Sequence, residues 1–180
     1  MNNQVQRWHI DPAHSEIRFK VKHMMISTVT GSFKKFSATV ESPENGFDNA
    51  RIMFEADVSS IDTGMPDRDN HLKSDDFFNA QAYPRLTFVS TSMERKSEEE
   101  YVLKGRLTIR DVTKDVTLQA LYGGTADDGY GNTKAGFEIQ GKIRRKDFNL
   151  RWDMVTEAGS IVVSDEVTLM LNVQLILAKQ

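Results

Sequence analysis

The strongest constraint on this chain is an alternation of apolar and polar residues that runs nearly to the C-terminus. Six apolar residues recur at a spacing of two, namely Val167, Leu169, Leu171, Val173, Leu175 and Leu177. Residues 16–23 repeat the pattern, with Ile17, Phe19 and Val21 on one side and charged residues on the other. Successive side chains of a β-strand point to opposite faces, whereas a helix would scatter these residues around its circumference. Both segments are therefore predicted to be strands with one apolar face.

Further strand-like segments fill the chain between these two. They comprise residues 31–40, 51–58, 85–93, 101–109, 115–122, 134–144 and 160–163. Turn-forming clusters at residues 43–46 and 127–132, and an acidic run at 97–100, separate the segments and predict hairpins. Residues 61–83 break the rhythm and predict one or two short helices, with Asp67 suited to a helix N-cap.

These strands predict an all-β fold, either an antiparallel barrel or a β-sandwich. The long terminal strand favours a single barrel of about eight to ten strands. No repeat or linker interrupts the sequence, so residues 1–180 are interpreted as one domain. A barrel of roughly eight strands is either filled by its own side chains or wide enough for one slim ligand. Composition leaves both interiors open.

Composition excludes several classes of function. The 180 residues include no Cys, which removes disulfide bonds, thiol catalysis and Cys-based metal sites. With 23 Lys and Arg against 26 Asp and Glu, the net charge of −3 gives no strong electrostatic case for nucleic acid or an anionic membrane surface. No run approaches the ~18 apolar residues of a membrane span, and the N-terminus shows no signal-peptide pattern. We therefore expect a cytoplasmic protein without stable membrane insertion.

A series of motifs follows the chain in order. The opening segment contains Trp8, Ile10-Asp11-Pro12 and His14-Ser15, and it continues through the alternating strand to His23-Met24. The later motifs are Val29-x-Gly31-x-Phe33, Arg68-Asp69-x-His71-Leu72-x-Ser74-x-Asp76-Phe77-Phe78, Tyr83-Pro84-x-Leu86-x-Phe88, Gly105-x-Leu107-Thr108-Ile109 with Val112-Thr113-Lys114, and Val163-Ser164-Asp165-Glu166-Val167. The ordered set resembles that of the YceI-like proteins and spans nearly the whole chain.

This resemblance implies a lipocalin-like, extended antiparallel barrel whose lumen holds a long apolar lipid. The implied ligand is a polyisoprenoid, such as an isoprenoid quinone or a prenyl phosphate, and the implied assembly is a homodimer. Neither catalysis nor a cofactor other than bound lipid is expected. A binder of fatty acids or amides, and a ligand-free, stress-associated barrel, are the alternatives. Asn149 stands where many relatives have Gly, and Asn tolerates the left-handed backbone conformation.

An apolar lining is what a long lipid requires, because transfer of each CH₂ from water contributes about 0.8 kcal/mol. One isoprene unit therefore contributes very roughly 3–4 kcal/mol before ordering costs. The lining candidates are Phe19, Val21, Met25, Val29, Phe33, Phe54, Val58, Leu72, Phe77, Phe78, Phe88, Leu107, Phe137 and Trp152. The same residues suit a solid core equally well, since buried apolar residues form the core in most proteins.

Three polar residues are candidates for contact with a lipid head group. His14 is expected at the mouth of the barrel, and Arg68 and His71 on a helical flap. Helix capping and a surface salt bridge are the favoured explanation of the last two. The His14-Ser15 pair does not predict catalysis, because adjacent residues of an extended chain point to opposite faces. Asp11 or Ser15 is instead expected to bond backbone groups.

No metal or glycosidase site is predicted. The four His residues lack the spacing of a metal-binding pair, and His23 is in phase with the apolar residues of its strand and is expected to point inward. Asp147 and Asp153 are two carboxylates, but nothing in the sequence sets them at the separation that glycoside hydrolysis requires.

Overall fold

The computed structural model describes residues 4–24, 26–152 and 163–179. These ranges contain eleven strands and one α-helix. The strands are β1 (Val5–Ile10), β2 (Glu16–His23), β3 (Ser27–Phe33), β4 (Phe36–Pro43), β5 (Arg51–Asp57), β6 (Ile61–Asp62), β7 (Arg85–Arg95), β8 (Glu100–Ile109), β9 (Val112–Asp127), β10 (Thr133–Arg144) and β11 (Val163–Leu177), and the helix is α1 (Pro66–Lys73). Short 3₁₀ turns lie at Pro12–His14, Val58–Ser60 and Arg145–Phe148.

Eight of the strands form a closed ring. The order is β1-β4-β5-β7-β8-β9-β10-β11, and β11 pairs back onto β1. Every neighbouring pair is antiparallel, as the hairpin connections predicted. A closed ring is a barrel and not a sandwich, so the all-β, antiparallel barrel prediction is confirmed.

The long strand β11 is shared between two partners. Its C-terminal part pairs with β1, and its N-terminal part pairs with β2, where Leu169 lies opposite Phe19. This is possible because β1 and β2 follow one line that the turn at Pro12–His14 interrupts. Strands β3 and β6 extend the sheet beyond β2. The apolar residues that alternate along β11 therefore all face one continuous interior, because directly paired residues lie on the same face of a sheet.

The corner between β1 and β2 is held by polar contacts. Asp11 caps the turn by accepting a hydrogen bond from the backbone N–H of Ala13 at 3.1 Å, as expected. The same carboxylate lies 2.7 Å from His14 Nδ1 and 3.1 Å from Lys134 Nζ. Burial acts to raise the pKa of Asp11, but the bonds from His14, Lys134 and Ala13 together hold it below its ordinary value. The corner thus ties β1 to the β9–β10 hairpin.

Residues 61–83 contain one α-helix, within the predicted one or two. The prediction that Asp67 caps it is wrong, because the helix begins one residue earlier. Pro66 occupies the first turn, where its fixed φ suits a helix and its missing N–H costs no hydrogen bond. Asp69 braces the start instead, accepting bonds from the backbone N–H and the hydroxyl of Thr63. Within the described ranges, no helix has the length and apolar character needed to cross a membrane.

Asn149 has φ 63°, the left-handed conformation expected of a residue that replaces Gly. It ends the 3₁₀ turn Arg145–Phe148 and reverses the chain after β10. Of the predicted strand at 160–163, the first three residues lie outside the described part, and Val163 begins β11.

A candidate lipid-binding cavity

The barrel encloses a narrow cavity of about 220 Å³. Its wall is apolar apart from Arg18 and Arg145, and all eight strands of the ring contribute to it, together with β2 and β3. Its lining follows β11 from Val163 to Leu175, roughly 40 Å of strand at about 3.3 Å per residue, so this small volume is spread along the barrel and suits a thin chain better than a compact ligand. The interior is therefore hollow, and the filled-core reading does not describe its axis.

Ten of the predicted lining residues lie on the cavity wall. They are Phe19, Val21, Phe33, Phe54, Leu72, Phe77, Phe78, Phe88, Leu107 and Phe137. Their positions follow from the alternation, since each strand residue among them points to the inner face. Whether a ligand touches them stays a prediction.

Three predicted lining residues lie off the wall. Val29 pairs with Val21, but it belongs to β3, one strand further from the ring of eight, and it is not on the cavity wall. Val58 is buried within the turn Val58–Ser60 and packs in the core. Trp152 packs outside the cavity against His71 and Phe77, with ring centroids 4.7 and 5.5 Å apart. Met25 lies outside the described residues.

Other wall residues were absent from the prediction. Strand β11 supplies a row of them, namely Val163, Val167, Leu169, Leu171, Val173 and Leu175. The alternation had already placed most of that row on one face, so the signal was available. Phe47 and Leu150 come from segments between strands, where no period indicates which side chain turns inward.

One end of the cavity is closed by aromatic rings. The aromatic end comprises Trp8, Phe47, Tyr101, Tyr122 and Phe137, whose neighbouring ring centroids are 4.9–6.3 Å apart. These separations are in the favourable range for aromatic pairs. The indole N–H of Trp8 donates to Ser42 Oγ at 3.0 Å, so the buried polar atom is satisfied. The aromatic end is a packed plug.

The opposite end, called the hairpin end, is framed by Val21, Leu72, Phe78, Leu150 and Val163. Arg145 lies here, with 3% of its surface exposed. Its guanidinium donates to the backbone carbonyls of Leu150 at 2.6 Å, Trp152 at 2.9 Å, Val163 at 3.0 Å and Ser164 at 2.9 Å. A buried cation is tolerable only when it is hydrogen-bonded. Arg145 therefore fastens two chain segments together at this end.

Two glycines let inner rings lie against the wall. A Cβ added to Gly31 would be 2.4 Å from Cζ of Phe19, and one added to Gly105 would be 2.4 Å from Cζ of Phe88. Each ring tip therefore rests directly over a glycine. If these positions carried side chains, both rings would have to shift. The missing methyl groups help to preserve the hollow axis.

The three head-group candidates lie in different places. His14 is at the Asp11 corner, and Arg68 donates to the hydroxyl and the carbonyl of Thr63, both at 2.7 Å. His71 is at the hairpin end, where Nε2 lies 2.7 Å from Asp76 Oδ2 and the ring packs edge-on against Phe77. Of the three, His71 is thus the one in contact with a wall residue. The geometry does not bring the set together.

Among the described residues, Ser15 is not paired with a His side chain and no cluster of metal ligands is present. Ser15 Oγ accepts a bond from the backbone N–H of Gln174 at 3.0 Å, so it serves β11 and not His14. In the described ranges, no group of three His, Asp or Glu side chains is close enough to hold a metal ion. Asp147 lies in the turn Arg145–Phe148, and Asp153 falls outside the described residues. His23, expected to point inward, is half-buried at the end of β2.

Known proteins are similar to this chain in sequence or in fold. Protein YceI of Escherichia coli O157:H7 is 38% identical over 161 residues, which are 89% of this chain and 81% of that protein. BcnA of Burkholderia cenocepacia has a TM-score of 0.76 at 28% identity, over 92% of this chain and 98% of its own. A polyisoprenoid binding domain from Saccharophagus degradans has a TM-score of 0.66 at 16% identity, over 95% and 98%, and this likeness shows the fold alone.

The family model described as a YceI-like domain matches residues 8–175, which is nearly the whole chain. The match covers the motifs from Trp8 to the start of β11 that the sequence analysis singled out. This protein is therefore a member of the YceI-like family.

Proposed function

We propose that this chain binds the tail of a long apolar lipid, most simply a polyisoprenoid, inside the barrel. The observation that carries the proposal is the continuous apolar wall around a narrow hollow axis. Such a wall offers water almost no hydrogen-bonding partner, so replacement of the water by an apolar chain is favourable. The polyisoprenoid binding domain of Saccharophagus degradans, which shares the fold, supports this choice of ligand class.

The energetics favour partial burial of a tail. Three buried isoprene units contribute about 10 kcal/mol at about 0.8 kcal/mol per CH₂, which is comparable with sub-micromolar binding. Ordering costs reduce this figure, and affinity cannot rise indefinitely with chain length. The cavity therefore need not hold the whole lipid. In this proposal the head group lies at the hairpin end, near His71, because rings plug the aromatic end.

The proposed role is storage or transport, without chemical conversion of the lipid. Asp11, His14 and Ser15 are engaged in structural contacts at the β1–β2 corner, which supports binding over catalysis. Homodimerisation and a cytoplasmic location stay predictions. A fatty acid or amide is the competing ligand, because its chain is similarly thin.

The direct test is gentle purification followed by organic extraction and mass spectrometry, with a refolded sample as the blank. Uptake of isoprenoid quinones and prenyl phosphates is then measured in competition with fatty acids. Preferential displacement by fatty acids would reassign the ligand. Finding no co-purified lipid and no uptake would refute lipid binding.

A matched pair of variants localises the ligand. Leu171→Trp adds a large ring to the inner face of β11, and Asn172→Trp adds it to the exposed outer face of the same strand. We expect the first to weaken uptake by about ten-fold or more, equivalent to at least about 1.4 kcal/mol, and the second to leave it unchanged. Equal effects would place the ligand outside the lumen.

A further inference from the structure

The β2–β3 hairpin presents two exposed apolar side chains at its tip. Met24 is 45% exposed and Ile26 is 85% exposed. The turn is defined, since the backbone N–H of Ile26 and the hydroxyl of Ser27 both donate to the carbonyl of His23. Met24 has φ 54°, a conformation that favours Gly, Asn or Asp. The turn geometry therefore does not account for Met at this position.

The hairpin lies in a stretch of the chain whose charges all have one sign. Residues 17–40 contain no Asp or Glu but include Arg18, Lys20, Lys22, Lys34 and Lys35. The chain as a whole has a net charge of −3, so this run departs in sign from the rest. The overall charge gave no strong case for an anionic membrane surface, but a local cationic element can bind one.

Two of these cations are available to a partner. Lys20 and Lys22 are exposed on the outer face of β2. In the part of the chain that the structure describes, neither forms an ion pair with a carboxylate, and Lys22 Nζ donates to the Thr28 hydroxyl at 3.2 Å. At about 3.3 Å per residue, they lie roughly 7–13 Å from Met24 along the strand.

We infer that the β2–β3 hairpin is a reversible docking element for anionic lipid bilayers, with Met24 and Ile26 entering the interface and Lys20 and Lys22 contacting the head groups. The spacing fits, because interfacial elements bury their apolar side chains about 5–10 Å into the boundary between head groups and acyl chains. Lys22 and Lys20, which precede Met24 by two and four residues on β2, then lie at the level of the head groups. Attraction between the lysines and anionic head groups makes the hairpin bind anionic bilayers in preference to neutral ones.

Other partners fit the hairpin less well. Single-stranded nucleic acid is bound by aromatic side chains that stack on bases, and the described tip residues are aliphatic or thioether. The other exposed apolar pair of neighbours, Met53 and Val89, lies opposite each other on β5 and β7. That pair is flanked by Arg51 and Glu55, so it combines apolar surface with both signs of charge. It serves as a matched control.

Docking by this hairpin would bring the cavity to the lipid. Val21 is on the cavity wall and precedes Met24 by three residues on the same hairpin. Bilayer binding depends on the tip and the lysines and does not rest on the identity of the cavity ligand. Combined with the proposed function, it gives a tail a short path between bilayer and lumen.

The test measures partition of the full-length protein onto phosphatidylcholine vesicles with and without phosphatidylglycerol, at low and high NaCl. Wild type should bind the anionic vesicles, and salt should weaken that binding. Since each Lys near an anionic surface contributes about five-fold in affinity, Lys20→Gln with Lys22→Gln should lose about ten-fold or more. Met24→Ser with Ile26→Ser should lose a similar factor.

The controls are Lys34→Gln with Lys35→Gln, and Met53→Ser with Val89→Ser. Each should stay within about two-fold of wild type, because Lys34 and Lys35 follow the far end of β3, roughly 25 Å of strand from the tip at about 3.3 Å per residue, and Met53 and Val89 lie on other strands. Thermal unfolding and uptake of a dispersed isoprenoid confirm that variants fold. Retained uptake with lost vesicle binding supports docking by the hairpin. Vesicle binding without any isoprenoid uptake would refute the proposed lipid-binding function but not docking by the hairpin.

Three outcomes overturn the inference. The first is absence of wild-type binding to anionic vesicles. The second is equal binding by wild type and both hairpin variants. The third is loss of a dimer, or of single-stranded RNA binding, in the Met24→Ser, Ile26→Ser variant without any vesicle binding, which would assign the hairpin to a protein or RNA partner.

Discussion

The two ends of the cavity are built from the same strands but by different means. At the aromatic end, rings from β1, β8, β9, β10 and the β4–β5 connection pack into each other and fill the space. At the hairpin end, α1 and the segment after β10 contribute Leu72 and Leu150 to the wall, and along the barrel Gly31 and Gly105 leave room for the rings of Phe19 and Phe88. Strand alternation is the same at both ends. The difference teaches that loops and glycines, not the strand pattern, decide where this barrel is solid and where it is hollow.

The largest expected effect comes from breaking the aromatic plug. Phe47 is buried and contacts the rings of Trp8, Tyr122 and Phe137. Phe47→Ala should lower the free energy of unfolding by about 3–5 kcal/mol, the usual cost of such a deletion in a packed core. Phe78→Ala, at the half-buried hairpin end, should cost roughly half of that. Urea unfolding measures both, and equal losses would mean that the two ends are packed alike.

A smaller effect is expected at the corner between the ends. The bonds to Asp11 hold its pKa below the ordinary value, so they stabilise the fold when the carboxylate is ionised. That stabilisation is complete above the ordinary pKa of about 3.9 and is lost as the pH falls through and below it. Asp11→Asn should therefore cost about 1–2 kcal/mol at neutral pH and progressively less below about pH 4.

The free energy of unfolding of wild type and of Asp11→Asn, measured from pH 7 down to acid pH, separates the contribution of Asp11 from that of other carboxylates. Asp76→Asn removes the partner of His71, an exposed pair, and should have little effect on stability. A gap between wild type and Asp11→Asn that does not change with pH would contradict the ionic account of the corner.

The smallest change in stability should come from Gly31→Ala. The added methyl group meets Cζ of Phe19 and Cγ2 of Thr63, both tips of side chains that can move. We expect a loss of about 1 kcal/mol, at the low end for overpacking. Lipid uptake should fall more clearly, because the displaced ring of Phe19 enters the cavity. Gly136→Ala is the matched control, since nothing lies within 4 Å of its added Cβ.

The barrel could be predicted from the sequence because its strands have one solvent-exposed polar face and one buried apolar face. Residues such as Leu107 and Phe137 alternate with polar neighbours, and the alternation places them inward without further information. Position along the axis is different. Val29 has the correct phase and lies opposite Val21, but it belongs to β3, one strand further from the ring, and the period carries no signal for which strand borders the cavity.

Residues outside the strands could not be predicted by the same means. Phe47 turns into the plug from a connection between strands. Arg145 can be buried because its guanidinium donates hydrogen bonds to four backbone carbonyls from two chain segments. Both outcomes depend on long-range packing. Trp152 and Val58 show the converse error, since large or apolar side chains in such segments pack around the cavity without facing it.

The closure of the ring has a consequence for the C-terminus. Only three residue pairs join β1 to β11, from Trp8 with Leu177 to Ile10 with Leu175, whereas eleven pairs join β10 to β11. This short seam lies at the very end of β11. Trimming the tail, or fusing a tag that pulls it away, would free β1 from β11 while β2 stays paired with the rest of that strand. The ends of β1 and β11 would then be unpaired strand edges, which are prone to aggregate. The last residues of β11 thus hold β1 in the ring.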